Sequence, residues 1–168
     1  MLFRKVVAVA LAGSLFIYPL SATAQAALPP PPQIPYGEPI NTEDAKRVAA
    51  AAVAEARRNS WTMAIAVVDC GGYLVYFERM PNTQLGSVDL SIEKARTAAL
   101  FRRPTKVFQD AVAAGGDGLR VLRLSGTIPN EGGVPIVVEG RIIGAIGISG
   151  GSVEQDGQVA KAGTTSLK

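Results

Sequence analysis

Two runs of β-branched and other apolar residues, Val134–Val138 and Ile142–Ile148, are separated by the dipeptide Glu139-Gly140. Gly supplies the positive φ of a two-residue turn, so the pattern predicts a tight hairpin. Both strands are almost wholly apolar, and a half-exposed strand would alternate with polar residues. The pair is therefore expected in the middle of a sheet, with helices over it. Gly144 and Gly147 weaken the second strand, which implies that a helix or a ligand approaches its backbone closely.

Upstream, Asn41 is a good cap for a helix running to about Asn59, with Ala45, Val48, Ala49, Ala52, Val53 and Ala56 on one face. Trp61–Val68 and Tyr73–Arg79 read as strands joined by the turn-forming Asp69-Cys70-Gly71-Gly72, with Tyr73, Tyr76, Phe77 and Met80 as strand core. Ser87 is expected to cap a second helix through Phe101, whose buried stripe is Val88, Ile92, Ala95 and Ala99, with Lys94 and Thr97 to another side. Pro104 stops it, and Thr105 is expected to cap a short helix to about Ala114. Leu119–Pro129 is ambiguous between a helical turn and an edge strand. After the hairpin, Ser152 and Gln155 make a capping-box pattern for a last helix to about Ser166. The order predicts an α+β fold with a mostly antiparallel sheet covered by helices.

The N-terminus bears on where this domain works. Met1-Leu2-Phe3-Arg4-Lys5 precedes an apolar run from Val6 to Leu20 and the small-residue stretch Ser21–Ala26. That is the pattern of a secretory signal peptide over residues 1–26, cleaved after Ala26, or alternatively after Ala24. The mature chain is expected to be periplasmic or secreted, with no integral membrane segment. Cleavage removes two basic residues and no acidic ones, so the formal charge falls from +3 to about +1 and no nucleic-acid footprint remains. Residues 27–40 carry six prolines and read as an extended arm, either a disordered leader or a strap over a neighbouring subunit. Cys70 is the sole cysteine, which excludes an internal disulfide and suggests a buried thiol in a turn. Histidine is absent, which excludes His-dependent triads and His metal or haem ligands.

Three segments have anion-binding chemistry. Arg102-Arg103-Pro104-Thr105 offers two guanidinium groups beside a helix N-terminus, while Glu131-Gly132-Gly133 and Ser149-Gly150-Gly151-Ser152 are Gly turns with available N–H groups. Asp69, Glu78, Glu93 and Glu131 are the nearby carboxylates, and no spacing singles out a catalytic pair.

Ala64–Asp69, Phe77–Met80, Lys94–Ala98, Arg103-Pro104-Thr105, Gly132–Ile136 and Ile143–Gly150, taken in order, resemble the GlcG/HbpS-like, or haem-degrading domain, family over 41–163. The resemblance implies a profilin-like architecture with about five strands, homo-oligomers, and haem binding in several members. It also implies a ligand region at Lys94, Thr105, Gly132 and Gly133, Thr105 matching a residue implicated at the iron in haem-binding relatives. The residues themselves add Arg102 and Arg103 as partners for propionates, and supply no metal site. The leading expectation is an exported binder of haem or a related tetrapyrrole. The alternatives are an enzyme or carrier for a small carboxylate, or a structural or sensory oligomer.

Intact-mass analysis of the exported protein checks the address. A chain beginning at Ala27 is expected, and an exported chain retaining Met1 contradicts the signal-peptide reading.

Overall fold

A computed structural model describes residues 28–30 and 34–167; the expected signal peptide and part of the proline-rich arm lie outside them. Its helices are α1 (Thr42–Arg58), α2 (Ser87–Leu100), α3 (Lys106–Ala114) and α4 (Val153–Thr164), and its strands are β1 (Ala64–Asp69), β2 (Leu74–Arg79), β3 (Gly133–Val138) and β4 (Arg141–Ser149). A 3-10 segment, Gly116–Arg123, resolves the ambiguous stretch after α3 as helical turns. The α+β expectation holds. The sheet has four antiparallel strands rather than five, in the order β2-β1-β4-β3.

The order corrects one expectation. β4 is central, but its hairpin partner β3 is an edge strand, which also explains how Pro135 is tolerated there. The turn itself forms as expected, with positive φ at both Glu139 and Gly140.

The apolar central strands alternate after all, in size rather than polarity. Ile65, Val67, Ile146 and Ile148 face one side and pack with α1 and α4 through Val48, Ala49, Ala52, Val159 and Ala160. Ala66, Val68 and Ala145 face the other side and pack on Ala95, Ala98 and Ala99 of α2. Large side chains thus hold two helices on one face, and small ones admit a single helix close to the other. The approach is closest at Gly147, where a Cβ would collide with the Ser91 carbonyl oxygen and the Ala95 nitrogen. At Gly147 the visitor is therefore a helix, whereas a Cβ on Gly144 would meet the Val68 carbonyl oxygen of β1 and Ile40 of the arm.

α2 departs from its expected stripe and cap. Gly86 holds the N-cap position without a side-chain bond, while Ser87 is buried and its hydroxyl meets that of Ser149 at 3.0 Å. The buried face is Ser87, Ser91, Lys94, Ala95, Thr97, Ala98 and Ala99, with Val88 and Ile92 only half-buried. Small polar residues win the interior positions because the sheet lies too near for branched aliphatics. On the β1–β2 hairpin, Met80 is buried, Tyr76 and Phe77 are half-buried, and Tyr73 is exposed rather than core; Cys70 is half-buried in the turn.

The arm is not an unpacked leader where it is described. Beyond the end of β1, the backbone of Pro35 and Gly37 bonds to Ile142, and Ile40 donates to Ile143, so the arm continues the sheet on that side of β4. Leu28 packs against the cluster of Phe108, Ala111 and Val121 between α3 and the 3-10 segment.

Gly147→Ala is expected to cost at least about 1–3 kcal/mol, because the new methyl meets rigid backbone of α2. Urea unfolding checks this as a lowered midpoint at unchanged m-value, and an unchanged midpoint contradicts the close-approach account.

Candidate functional site

The structure divides the six residues expected at a ligand site into two groups. Lys94, Thr105, Gly132 and Gly133 meet in a buried polar joint. Lys94 leaves α2 with 1% of its side chain exposed, and its Nζ lies 2.7 Å from Asp156 Oδ2 and 3.1 Å from the Ile148 carbonyl oxygen. Asp156 uses its other oxygen to accept from the Gly151 N–H at 3.1 Å. Burial pushes the Lys94 ammonium down and the Asp156 carboxyl up, and the attraction between them opposes both shifts.

The Gly-Gly turn lets β3 begin against this pair. A Cβ on Gly132 would press on the Ile148 carbonyl and the Lys94 ammonium, and one on Gly133 would collide with the Lys94 carbonyl. Thr105 stands at the N-cap position of α3 but makes no side-chain cap, contrary to expectation. Its buried hydroxyl accepts from the Gly133 N–H at 2.9 Å, and its own N–H donates to the Gly133 carbonyl at 3.0 Å. The joint ties α2, α3, α4 and β3 together, and its donors and acceptors serve each other.

Arg102 and Arg103 lie apart from that joint, against the arm. Arg103 is 7% exposed; its Nη1 donates to the Pro29 carbonyl at 2.9 Å and its guanidinium stands over the Phe108 ring. Arg102 adopts a φ of 52°, donates to the Ile34 carbonyl at 3.3 Å and stacks on Tyr36, whose hydroxyl donates to Ala99 and Leu100 carbonyls. The two guanidinium groups expected to meet an anionic ligand thus hold the chain's own backbone.

An open concavity lies elsewhere on α2. A cleft of about 340 Å³, at the small end of ligand pockets, is lined by Glu93, Arg96, Thr97 and Leu100 and by the loop Gly126-Thr127-Ile128. Thr97 fastens the loop: its hydroxyl donates to the Gly126 carbonyl at 3.2 Å and accepts from the Ile128 N–H at 3.1 Å. Leu100 is 44% exposed, and Arg96 is exposed and makes no ion pair among the described residues. The arrangement offers an apolar edge, one unpaired cation and a fixed floor. The same loop continues directly into Gly132-Gly133, so cleft and joint are mechanically connected.

Sequence reasoning overlooked Asp156 and the cleft. Asp156 precedes Val159, Ala160 and Gly163 by three, four and seven positions, which places it on the buried face of α4. An acid there and a lysine among the alanines of α2 were a legible signal for a buried pair. Arg96 and Leu100 share the outward face of α2 with Glu93, again by three-and-seven spacing, but the loop that turns this face into a cleft had no readable pattern.

Comparison with known proteins places these features in a family setting. The family model described as haem degrading protein HbpS-like matches residues 40–165. Protein GlcG of Escherichia coli K12 is 43% identical over 110 residues, covering 66% of this chain and 81% of GlcG. The crystal structure of a PduOC–haem complex superposes with a TM-score of 0.69 at 30% identity, covering 77% of this chain and 96% of that one. A double mutant of Streptomyces reticuli HbpS superposes with a TM-score of 0.72 at 25% identity, covering 98% of this chain and 99% of that one.

The buried pair predicts an asymmetric response to mutation. Asp156→Ala should destabilise by about 3–5 kcal/mol because it strands the Lys94 charge, whereas Lys94→Met with Asp156→Leu should be close to neutral. Equilibrium unfolding of both variants checks this, and equal losses in the two contradict it.

Proposed function

This chain belongs to the HbpS-like haem-degrading family, and on that premise we propose that it is an exported protein that binds haem or a related tetrapyrrole in the α2 cleft. The observation that carries the ligand is the haem complex of the PduOC relative, which shares the fold at 30% identity. The export rests on the basic, apolar and small-residue pattern of residues 1–26.

The cleft residues fit part of a haem. Leu100 and Ile128 supply apolar contact for the edge of a flat macrocycle, and Arg96 supplies a charge-assisted contact for a propionate. Glu93 lies one helical turn from Arg96 and disfavours a second anion at its own end, so it sets the direction in which the propionates point. Bound haem would bring an iron centre for oxygen or redox chemistry. The chain's own contribution is to hold the macrocycle edge and orient its acids. At about 340 Å³ the cleft is too small to enclose the disc, which favours a ligand shared with another surface.

A homo-oligomer is part of the proposal. Leu119, Leu122 and Leu124 around the 3-10 segment are each more than 40% exposed, an apolar exposure that suits a subunit contact.

Hemin titration followed by absorption tests the reading. A shifted Soret band at micromolar protein is expected, and Arg96→Ala should weaken binding about tenfold, the loss of one charge-assisted contact of roughly 1.5 kcal/mol. No spectral shift in the parent protein contradicts haem binding. Equal affinity in Arg96→Ala removes the α2 cleft as the site.

A further inference from the structure

We infer that the cleft recognises a porphyrin by its macrocycle and carboxylates and is indifferent to the central metal; this rests on the tetrapyrrole reading of the same cleft. Haem affinity in proteins commonly leans on an axial His, Cys, Met or Tyr. Here the sequence has no His, and no other such group among the described residues lines the cleft.

Met63 and Met80 are buried in the core beneath α1 and α4, on the sheet face opposite α2. Cys70 sits in the β1–β2 turn, its Sγ 3.9 Å from the Gly37 carbonyl oxygen. The Tyr36 hydroxyl is donated to the C-terminal carbonyls of α2 and the Tyr76 hydroxyl to Glu78. Tyr73 is exposed beside the β1–β2 turn and does not line the cleft. Lys94, the remaining nitrogen donor of α2, is sealed in its pair with Asp156.

Of the cleft's own oxygen groups, the two hydroxyls are held in hydrogen bonds to the loop and the one carboxylate stands beside a cation. Thr97 donates to Gly126 and accepts from Ile128, and the Thr127 hydroxyl donates to the Leu124 carbonyl at 2.7 Å. Glu93 is the one carboxylate on the wall, and it stands beside the Arg96 that receives the ligand's acids. What this cleft itself offers is ring contact on Leu100 and Ile128 and an ion pair at Arg96, neither of which senses a metal. The ligand class is therefore a carboxylate-bearing porphyrin, with or without iron.

Parallel titrations of the full exported chain with hemin, metal-free protoporphyrin IX and protoporphyrin IX dimethyl ester test this, read by absorption and by protein and porphyrin fluorescence. Hemin and protoporphyrin IX should bind with dissociation constants within about threefold of each other, and the ester about tenfold more weakly. Tyr73→Phe and Glu93→Gln should leave the hemin-to-protoporphyrin ratio unchanged. Hemin binding about tenfold or more tighter than protoporphyrin IX, or a ratio that collapses in either variant, overturns metal indifference while haem binding stands. An ester that binds as well as the free acid overturns the carboxylate half. Failure of both porphyrins to bind overturns this inference together with the reading beneath it.

Discussion

The distance between α2 and the sheet is the constraint from which the other features follow. It is set by Ala66, Ala145 and Gly147 on the strands and by Ser91, Ala95 and Ala98 on the helix, none of which carries more than a small side chain. A helix held this close cannot bury branched aliphatic side chains toward the strands, so Val88 and Ile92 move to the flank and Ser87 and Ser91 take interior places. The helix also covers its face of the sheet alone, while α1 and α4 share the other. Its outward side, with Glu93, Arg96 and Leu100, is then free to form one wall of a cleft.

Close packing also accounts for the buried ion pair. Lys94 lies where α2 passes the end of β4, near enough to donate to the Ile148 carbonyl and to reach Asp156 in the first turns of α4. The pair joins a helix on one face to a helix on the other, and the Gly-Gly turn fits beneath it only because neither glycine carries a Cβ. Such a pair gains little net stability against its desolvation cost. Its structural value is register: it fixes where α4 starts and where β3 begins. Residues that a family motif marks for ligand binding are, within this subunit, the fastening of its layers. The Arg102-Arg103 turn plays a similar part, holding the arm through backbone carbonyls and an aromatic face.

Most of the fold was legible because its signals are local. The Asn41 cap, the Glu139-Gly140 turn and the Ser152-Gln155 capping box all form where the residues predict them. The errors came from tertiary choices. The apolar character of Val134–Val138 reads as a central strand, yet strand order depends on which partner β1 selects, and β1 pairs with β4. The size alternation in Ala64–Val68 and Gly144–Ser149 was present in the sequence and specifies which face takes the close helix, but a polar-apolar reading passes over it. The candidate site was less legible. Thr105, Gly132, Gly133 and Lys94 lie together in one joint, but motif spacing carries no information on exposure, and the guanidinium pair could not be known to face the arm.

The proposed ligand surface of this domain is the outward side of α2 with the Gly126–Ile128 loop, with the motif residues behind it as scaffold. Backbone amide chemical-shift mapping with diamagnetic protoporphyrin IX tests it most directly. The largest perturbations are expected along residues 93–100 and 126–128, with Arg102, Arg103 and Thr105 little changed. Perturbations concentrated on 102–105 and on the arm residues 34–37 would contradict it, because they would place the ligand where the chain now holds its own backbone.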